Sequence, residues 1–247
     1  LHQRLDRWQE RRELVVAGLL DLQPALIALQ EVAVGLRQAK WLRAQLNMRI
    51  SGSSTKPYNL VQRRGRHPVW GRVEGVAVLT TMPVISADST NLGHDGRVAL
   101  RINTVLPNGA PLDFVSLQLS PVADAHETRE EQIMAGLGWI NSPGAVVNQI
   151  IAGSFEDTPD QLAIRRMKHF YRYRSAFEVA MGREPAATYS TALIKPTSVS
   201  GACLDYIFMS TSFAGVDAVG LIGTDSAEND DALYASDHVG VWADIRP

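Results

Sequence analysis

Cysteine is nearly missing from this sequence: Cys203 is the single one in 247 residues. One thiol cannot form an internal disulfide, and its presence leaves the redox compartment open. No apolar run is long enough to span a membrane, and the start is too charged for a signal peptide, with Arg4, Asp6, Arg7, Glu10, Arg11 and Arg12. A soluble, cytoplasmic protein is the expectation. Charge of one sign is lacking as well. The net charge is −2 and the pI about 6.3, so the whole surface is no nucleic-acid footprint, and affinity for phosphate must be local. Internal repeats, low-complexity tracts and linkers are absent too, which leaves no point at which to divide the chain.

What is there is apolar mass. With 45% hydrophobic residues the chain can bury a large core, and 1–247 is read as a single domain. Leu5, Trp8, Val15, Leu19 and Leu22 fall on one face of a helix over 5–22, which Gln23-Pro24 stops. A short buried strand over 25–32 delivers Gln30 and Glu31 to its end, and a second helix is expected over 34–46. Residues 51–72 read as a Gly/Ser loop and a basic stretch carrying Arg63, Arg64, Arg66, His67 and Arg72. Such a run is usually a solvated face; the less common reading turns it toward phosphate.

Strands are expected over 73–79, 84–90, 98–106 and 113–119, the last two joined at Asn108-Gly109, whose residues tolerate a type I′ turn. A helix over 125–139 precedes an apolar strand over 145–152. Residues 160–181 read as mostly helical, and strands follow over 203–209, over 216–222 and after His238. Strand clusters alternating with single helices fit two packed sheets with helices outside them.

The chemistry gathers near the end, at Ser236-Asp237-His238, directly before an alternating apolar strand. A carboxylate beside an imidazole suits metal-assisted hydrolysis, one group holding a hard cation and the other taking a proton. For an isolated Asp-His pair, a polar cap on a strand is the commoner explanation. Company changes the balance: Glu31 and Asp205 also stand at strand ends. Asp205 opens Asp205-Tyr206-Ile207-Phe208, where a lone carboxylate would be expensive unless paired.

Four blocks in this order resemble the endonuclease/exonuclease/phosphatase superfamily. They are Pro24-Ala25-Leu26-Ile27-Ala28-Leu29-Gln30-Glu31-Val32, Glu74-Gly75-Val76-Ala77-Val78-Leu79, Leu204-Asp205-Tyr206-Ile207-Phe208 and Ser236-Asp237-His238. The resemblance implies a four-layered α/β sandwich, with two packed, mostly antiparallel sheets flanked by helices. It also implies Mg²⁺ (or Mn²⁺) and hydrolysis of a phosphoester. By that likeness Glu31 ligates the metal and Asp237 is a second candidate ligand. His238 is the general base or phosphate contact, and Asp205 orients it. Gln30 and Glu74 support the site, Glu74 facing position 118. The likeness also places a first strand, with a metal-binding Asn, just before Leu1.

The departures fall on the chemistry. A strand ending Thr-His-Leu in the family reads Ser116-Leu117-Gln118-Leu119 here, and Gly-Asp-Phe-Asn reads Gly153-Ser154-Phe155-Glu156. Gln118 can still donate to a phosphoryl oxygen. Ser154 is a poor proton acceptor, and Glu156 puts negative charge where an anion should sit. At ~4 Å and an effective dielectric near ~20, like charges repel by roughly 4 kcal/mol, about three decades in affinity. The expectation is a phosphoesterase-like protein with catalysis weakened or lost and metal bound weakly. The alternative is an active metal-dependent phosphoesterase with a site rebuilt on Glu156 or Asp157. The partner is a phosphoester substrate or ligand of open class; the resemblance admits nucleic acid, which the net charge does not indicate.

Overall fold

The computed structural model describes residues 7–65, 74–191, 193 and 201–247. In chain order these give α1 (Trp8–Leu22), β1 (Leu26–Ala33), α2 (Gln38–Arg49), β2 (Asn59–Arg64), β3 (Glu74–Thr80) and β4 (Ser86–Asn91). Then come β5 (Val98–Val105), β6 (Pro111–Gln118), α3 (His126–Ile140), β7 (Asn148–Ser154), α4 (Leu162–Arg165), β8 (Arg174–Ser175) and α5 (Ala176–Met181). The chain closes on β9 (Asp205–Met209), β10 (Gly215–Ile222) and β11 (Gly240–Arg246).

Three apolar clusters show how these elements stack. Val16 of α1 and Leu42 and Leu46 of α2 pack on Ile27 and Leu29 of β1 and Ala77 and Leu79 of β3. The opposite face of β3, Val76 and Val78, meets Leu100, Ile102, Phe114 and Ile150 of a second sheet. That sheet's far face, with Val115, Leu117 and Ile151, packs on Ile133 and Leu137 of α3 and Ile164 of α4. The result is helix, sheet, sheet, helix: the four-layered α/β sandwich. Alternating side chains on β3 and β6 feed both of their faces, which is why these strands read as nearly continuous apolar runs. Cys203 is buried, and burial pushes its thiol up to about 12, so it stays an uncharged part of the core.

The larger sheet has six strands in the order β4-β5-β6-β7-β9-β8 and is antiparallel except between β6 and β7. The layer facing it is in two pieces, a three-stranded sheet β1-β3-β2 and a two-stranded ribbon β10-β11.

Local departures from expectation have local reasons. Residues 59–64 form an edge strand rather than part of a loop; Leu60 packs into the outer core while Arg63 and Arg64 stay exposed. Basic residues at its end hid the strand pattern. Arg66, His67 and Arg72 lie outside the described residues. The helix over 160–181 is broken: after Phe170 the backbone turns left-handed at Arg172 (φ 58°), which seats Tyr173 in the core and opens β8. The β5–β6 hairpin is present, but its turn is not type I′. Leu106 O accepts from Gly109 N across Pro107 and Asn108, and among these residues only Gly109 takes positive φ (85°). That is a three-residue loop with its left-handed residue last, a geometry Pro107 favours by fixing its own φ.

Candidate active site

Strand register builds the floor of the site. Gln118 is paired with Ser154, and Ser154 with Asp205, so the ends of β6, β7 and β9 present these three residues in one row. Register partners point to the same face, here the one toward the smaller sheet, where Ala152 and Ile207 lie two residues back in the inter-sheet core. Gly153 lets β7 carry Ser154 so close to β6, since a Cβ at 153 would collide with the Leu117 carbonyl.

The opposing wall comes from β1. Its pairing with β3 slips between Leu29 and Val32, so Gln30 and Glu31 together oppose Val76 in a bulge. Glu31 takes φ 52°, a left-handed conformation that costs a non-glycine residue of order 1 kcal/mol or more and turns its carboxylate toward the row. Gln30 Nε2 donates to Ser116 Oγ at 3.2 Å, joining the sheets beneath.

Gln118 is the hub. Its Oε1 accepts from Arg97 Nη1 at 2.8 Å, which fixes the amide so that Nε2 faces carboxylates. Nε2 donates to Glu31 Oε1 at 2.9 Å and makes a long 3.5 Å contact to Glu156 Oε1. The same Glu156 oxygen accepts from Ser154 Oγ at 3.0 Å. Glu156 is also left-handed, at φ 57°. Burial pushes its carboxyl above the usual range, reinforced by Asp205 and Glu31 and opposed by His238 and the Ser154 hydroxyl. The contacts of Gln118 thus run to Glu31 and Glu156 rather than to Glu74. Glu74 opens β3, half-buried, opposite Ala33.

His238 stands on the other side. Its Nδ1 lies 2.8 Å from Asp205 Oδ2, an oxygen that also accepts from Thr188 Oγ1 at 2.6 Å. Burial alone would lower the imidazole's pKa; the charge and hydrogen bond of Asp205, with Asp237 and Glu156 behind them, raise it to about 9. The ring is therefore cationic at neutral pH in the metal-free protein, a donor able to meet an anion. Tyr189 lies against it, with ring centroids 4.7 Å apart. Asp237 is buried, accepts from Ser236 Oγ at 3.0 Å and faces the field of the buried Arg11.

Thr188, Tyr189 and Arg97 were not legible from sequence. Thr188 Oγ1 donates to the Asp205 carboxylate and accepts from the Leu204 and Asp205 amides. Thr188 and Tyr189 come from a segment without periodicity, and Arg97 from the end of a tight turn. Asp157, expected to help recruit a cation, is fully buried in other work. It accepts from Arg129 Nε at 2.5 Å and Ala163 N at 3.2 Å, and lies 3.0 Å from His126 Nδ1.

The donor set fits a divalent cation poorly. Among the described residues no three His, Cys, Asp or Glu side chains are gathered to hold an ion. Glu31 and Glu156 are candidate oxygens, but the amide N–H groups of Gln118 already point at them. Mg²⁺ wants several oxygens in near-octahedral order, which this arrangement does not offer.

Solved structures share this architecture. The human Nocturnin catalytic domain, with bound sulfate, superposes with a TM-score of 0.74 at 18% identity, covering 99% of this chain and 89% of its own. A mannosyl-6-phosphatase from Bacteroides thetaiotaomicron gives 0.74 at 16% identity, covering 96% and 91%. D. rerio TDP2, complexed with a single-strand DNA product, gives 0.74 at 15% identity, covering 98% and 95%. Identities this low speak for the fold alone. No curated protein sequence matches the chain. The model of the Endonuclease/Exonuclease/phosphatase family matches residues 2–238, nearly the whole length, and the chain belongs to that family.

Proposed function

We propose that this protein binds a phosphoester through the family's site and hydrolyses it weakly or not at all. One observation carries the reading: the donors at the floor of the site are spent on its own carboxylates. Gln118 gives its amide N–H groups to Glu31 and Glu156, and Ser154 gives its hydroxyl to Glu156. A phosphoryl group entering there meets negative oxygens before it meets N–H or O–H, and the attacking water has no carboxylate at 154 to align it. Removing one preorganised donor typically costs about two to three decades in rate. The cation His238 remains, held by Asp205, and supports an anion contact at the rim. Mg²⁺ and Mn²⁺ bind weakly, because Gln118 must turn away before Glu31 and Glu156 can share an ion.

The ligand is a phosphoester. That a mannosyl-6-phosphatase and a complex with a DNA product share the fold supports this breadth without choosing within it. An active enzyme rebuilt on Asp157 is disfavoured, since Asp157 is tied to Arg129 in the core.

Hydrolysis of bis-p-nitrophenyl phosphate with Mg²⁺ or Mn²⁺ tests the reading. The expected rate is close to background and unchanged in His238→Ala. A robust rate that His238→Ala abolishes would overturn it.

A further inference from the structure

Two hydrogen-bond donors beside the floor of the site stand next to each other and serve no acceptor among the described residues. The first is His238 Nε2: Nδ1 is given to Asp205, and the opposite ring nitrogen makes no hydrogen bond there. The second is the hydroxyl of Tyr189, whose ring lies against the imidazole with centroids 4.7 Å apart and planes at 45°.

The backbone aims Tyr189. An antiparallel bridge sets it directly opposite His238, and residues so paired carry their side chains on one face. His238 reaches Asp205, the end of the row that Gln118 and Ser154 begin, so that face is the one toward the site. A second bridge holds the other edge. Tyr189 N donates to Ala202 O at 3.0 Å, and Ala202 N returns a bond to Tyr189 O at 2.6 Å. Val239 N donates to Thr188 O at 2.8 Å and Thr191 N to Asp237 O at 2.9 Å. Residues 188–191 are thus laced on both edges, although they form no regular element.

A phenol is longer than an imidazole, so from a paired position its hydroxyl reaches past the ring it packs on. Burial raises its pKa, and the charges of Asp237, Glu156 and Glu31 add to the rise. Glu156, just beyond β7, and Glu31, in the β1 bulge, stand across the site from His238. The hydroxyl lies in their field and keeps its proton. Packing alone makes no use of it, since a phenylalanine ring would lie on His238 as well. A half-buried O–H without an acceptor carries a desolvation cost that a ligand oxygen removes.

Nearby donors are occupied. Gln118 Nε2 and Ser154 Oγ serve Glu31 and Glu156, and Thr188 Oγ1 serves Asp205. An anion that approaches His238 therefore meets two unoccupied donors side by side, and one phosphoryl oxygen has the lone pairs to accept from both.

We propose that Tyr189 is a ligand contact of this site, its hydroxyl donating to a phosphoryl oxygen that His238 Nε2 also meets. The assignment rests on the phosphoester reading above and adds a neutral donor to it.

Phosphorus NMR titration with methyl phosphate, which has no ring to stack, tests the contact in metal-free buffer near neutral pH. The proteins are the wild type, Tyr189→Phe, Tyr189→Ala and His238→Ala. Tyr189→Phe keeps the ring and removes only the hydroxyl. The wild type is expected to bind, and Tyr189→Phe to bind about tenfold more weakly, as for one hydrogen bond to a charged group, while His238 titrates as in the wild type. Equal affinity of Tyr189→Phe and the wild type, with binding lost in His238→Ala, overturns the contact and leaves the phosphoester reading standing. Equal affinity in Tyr189→Phe with a loss in Tyr189→Ala makes the ring a packing partner of His238 and overturns it too. Weaker binding by Tyr189→Phe with a displaced His238 titration shows an effect through the imidazole, which also overturns direct contact. Absence of binding by the wild type, or binding that His238→Ala leaves unchanged, overturns the phosphoester reading and this contact with it.

Discussion

Gln118 Nε2 donates to Glu31 Oε1 across 2.9 Å, so the end of β6 is tied to the bulge of β1 by a neutral amide. An imidazole at 118 could carry charge and meet a phosphate. The amide instead neutralises nothing and occupies the carboxylate nearest to it. Much of the expected behaviour follows from that contact and from its neighbour, Ser154 on Glu156.

Restoring the family residues together, Gln118→His, Ser154→Asp and Glu156→Asn, should raise bis-p-nitrophenyl phosphate hydrolysis well above background. Each single change should be nearly inert, because groups that act as a unit are not additive. Initial rates of the three single variants and the triple, with Mg²⁺, measure this. A triple variant that stays at background would mean that another part of the site is lost.

Isothermal titration of the unmodified protein with Mg²⁺ or Mn²⁺ should give dissociation constants of about millimolar or weaker. The N–H groups of Gln118 must be displaced before Glu31 can turn an oxygen to an ion. Micromolar binding would show that Glu156 has taken a ligand's place.

Stability should fall as pH rises from about 6.5 to about 9 in metal-free buffer. His238 binds its proton more tightly folded (about 9) than unfolded (6.5). Its contribution is thus complete below 6.5 and lost as pH passes the folded value, with roughly 3 kcal/mol as an upper bound. Urea denaturation of the wild type and His238→Asn across this range should show the slope only in the wild type.

Asp157→Asn should destabilise the fold more than any change at the rim. It leaves Arg129, buried and hydrogen-bonded to the Ser120 and Val122 carbonyls, without its carboxylate. Breaking such a pair costs about 3–5 kcal/mol. A urea midpoint close to that of the wild type would show that His126, 2.8 Å from Arg129 Nη2, compensates.

Thr188→Val should cost about 1–3 kcal/mol, since the Leu204 and Asp205 amides and the Asp205 carboxylate all lose a partner. The imidazole of His238 should then titrate differently by NMR, because Asp205 is held less firmly. An unchanged titration would make Thr188 purely structural.

The sequence by itself determined the layers and the strand ends. Apolar runs such as 74–80 and 111–118 can bury two faces only inside a sandwich, and Glu31, Asp205 and His238 stand where such runs begin or end. Alternation along a strand is local, so it survives without knowledge of partners. The broken helix near Arg172, the edge strand at 59–64 and the turn at Pro107 were decided by tertiary context. There the core's claim on Tyr173, pairing with β3, and the β5–β6 register overrode local pattern.

Which side chains meet was decided only by the tertiary structure. Gln118 spans to Glu31, 87 residues away, because the β6–β7–β9 register and the β1 bulge bring them together. Asp157 sits one residue beyond Glu156 in sequence, yet pairs with Arg129 in the core rather than with the site. Residue types announce what chemistry is available. Register, bulges and left-handed turns decide which carboxylate faces which donor, because each shifts a side chain by a face or a strand spacing that no sequence pattern records.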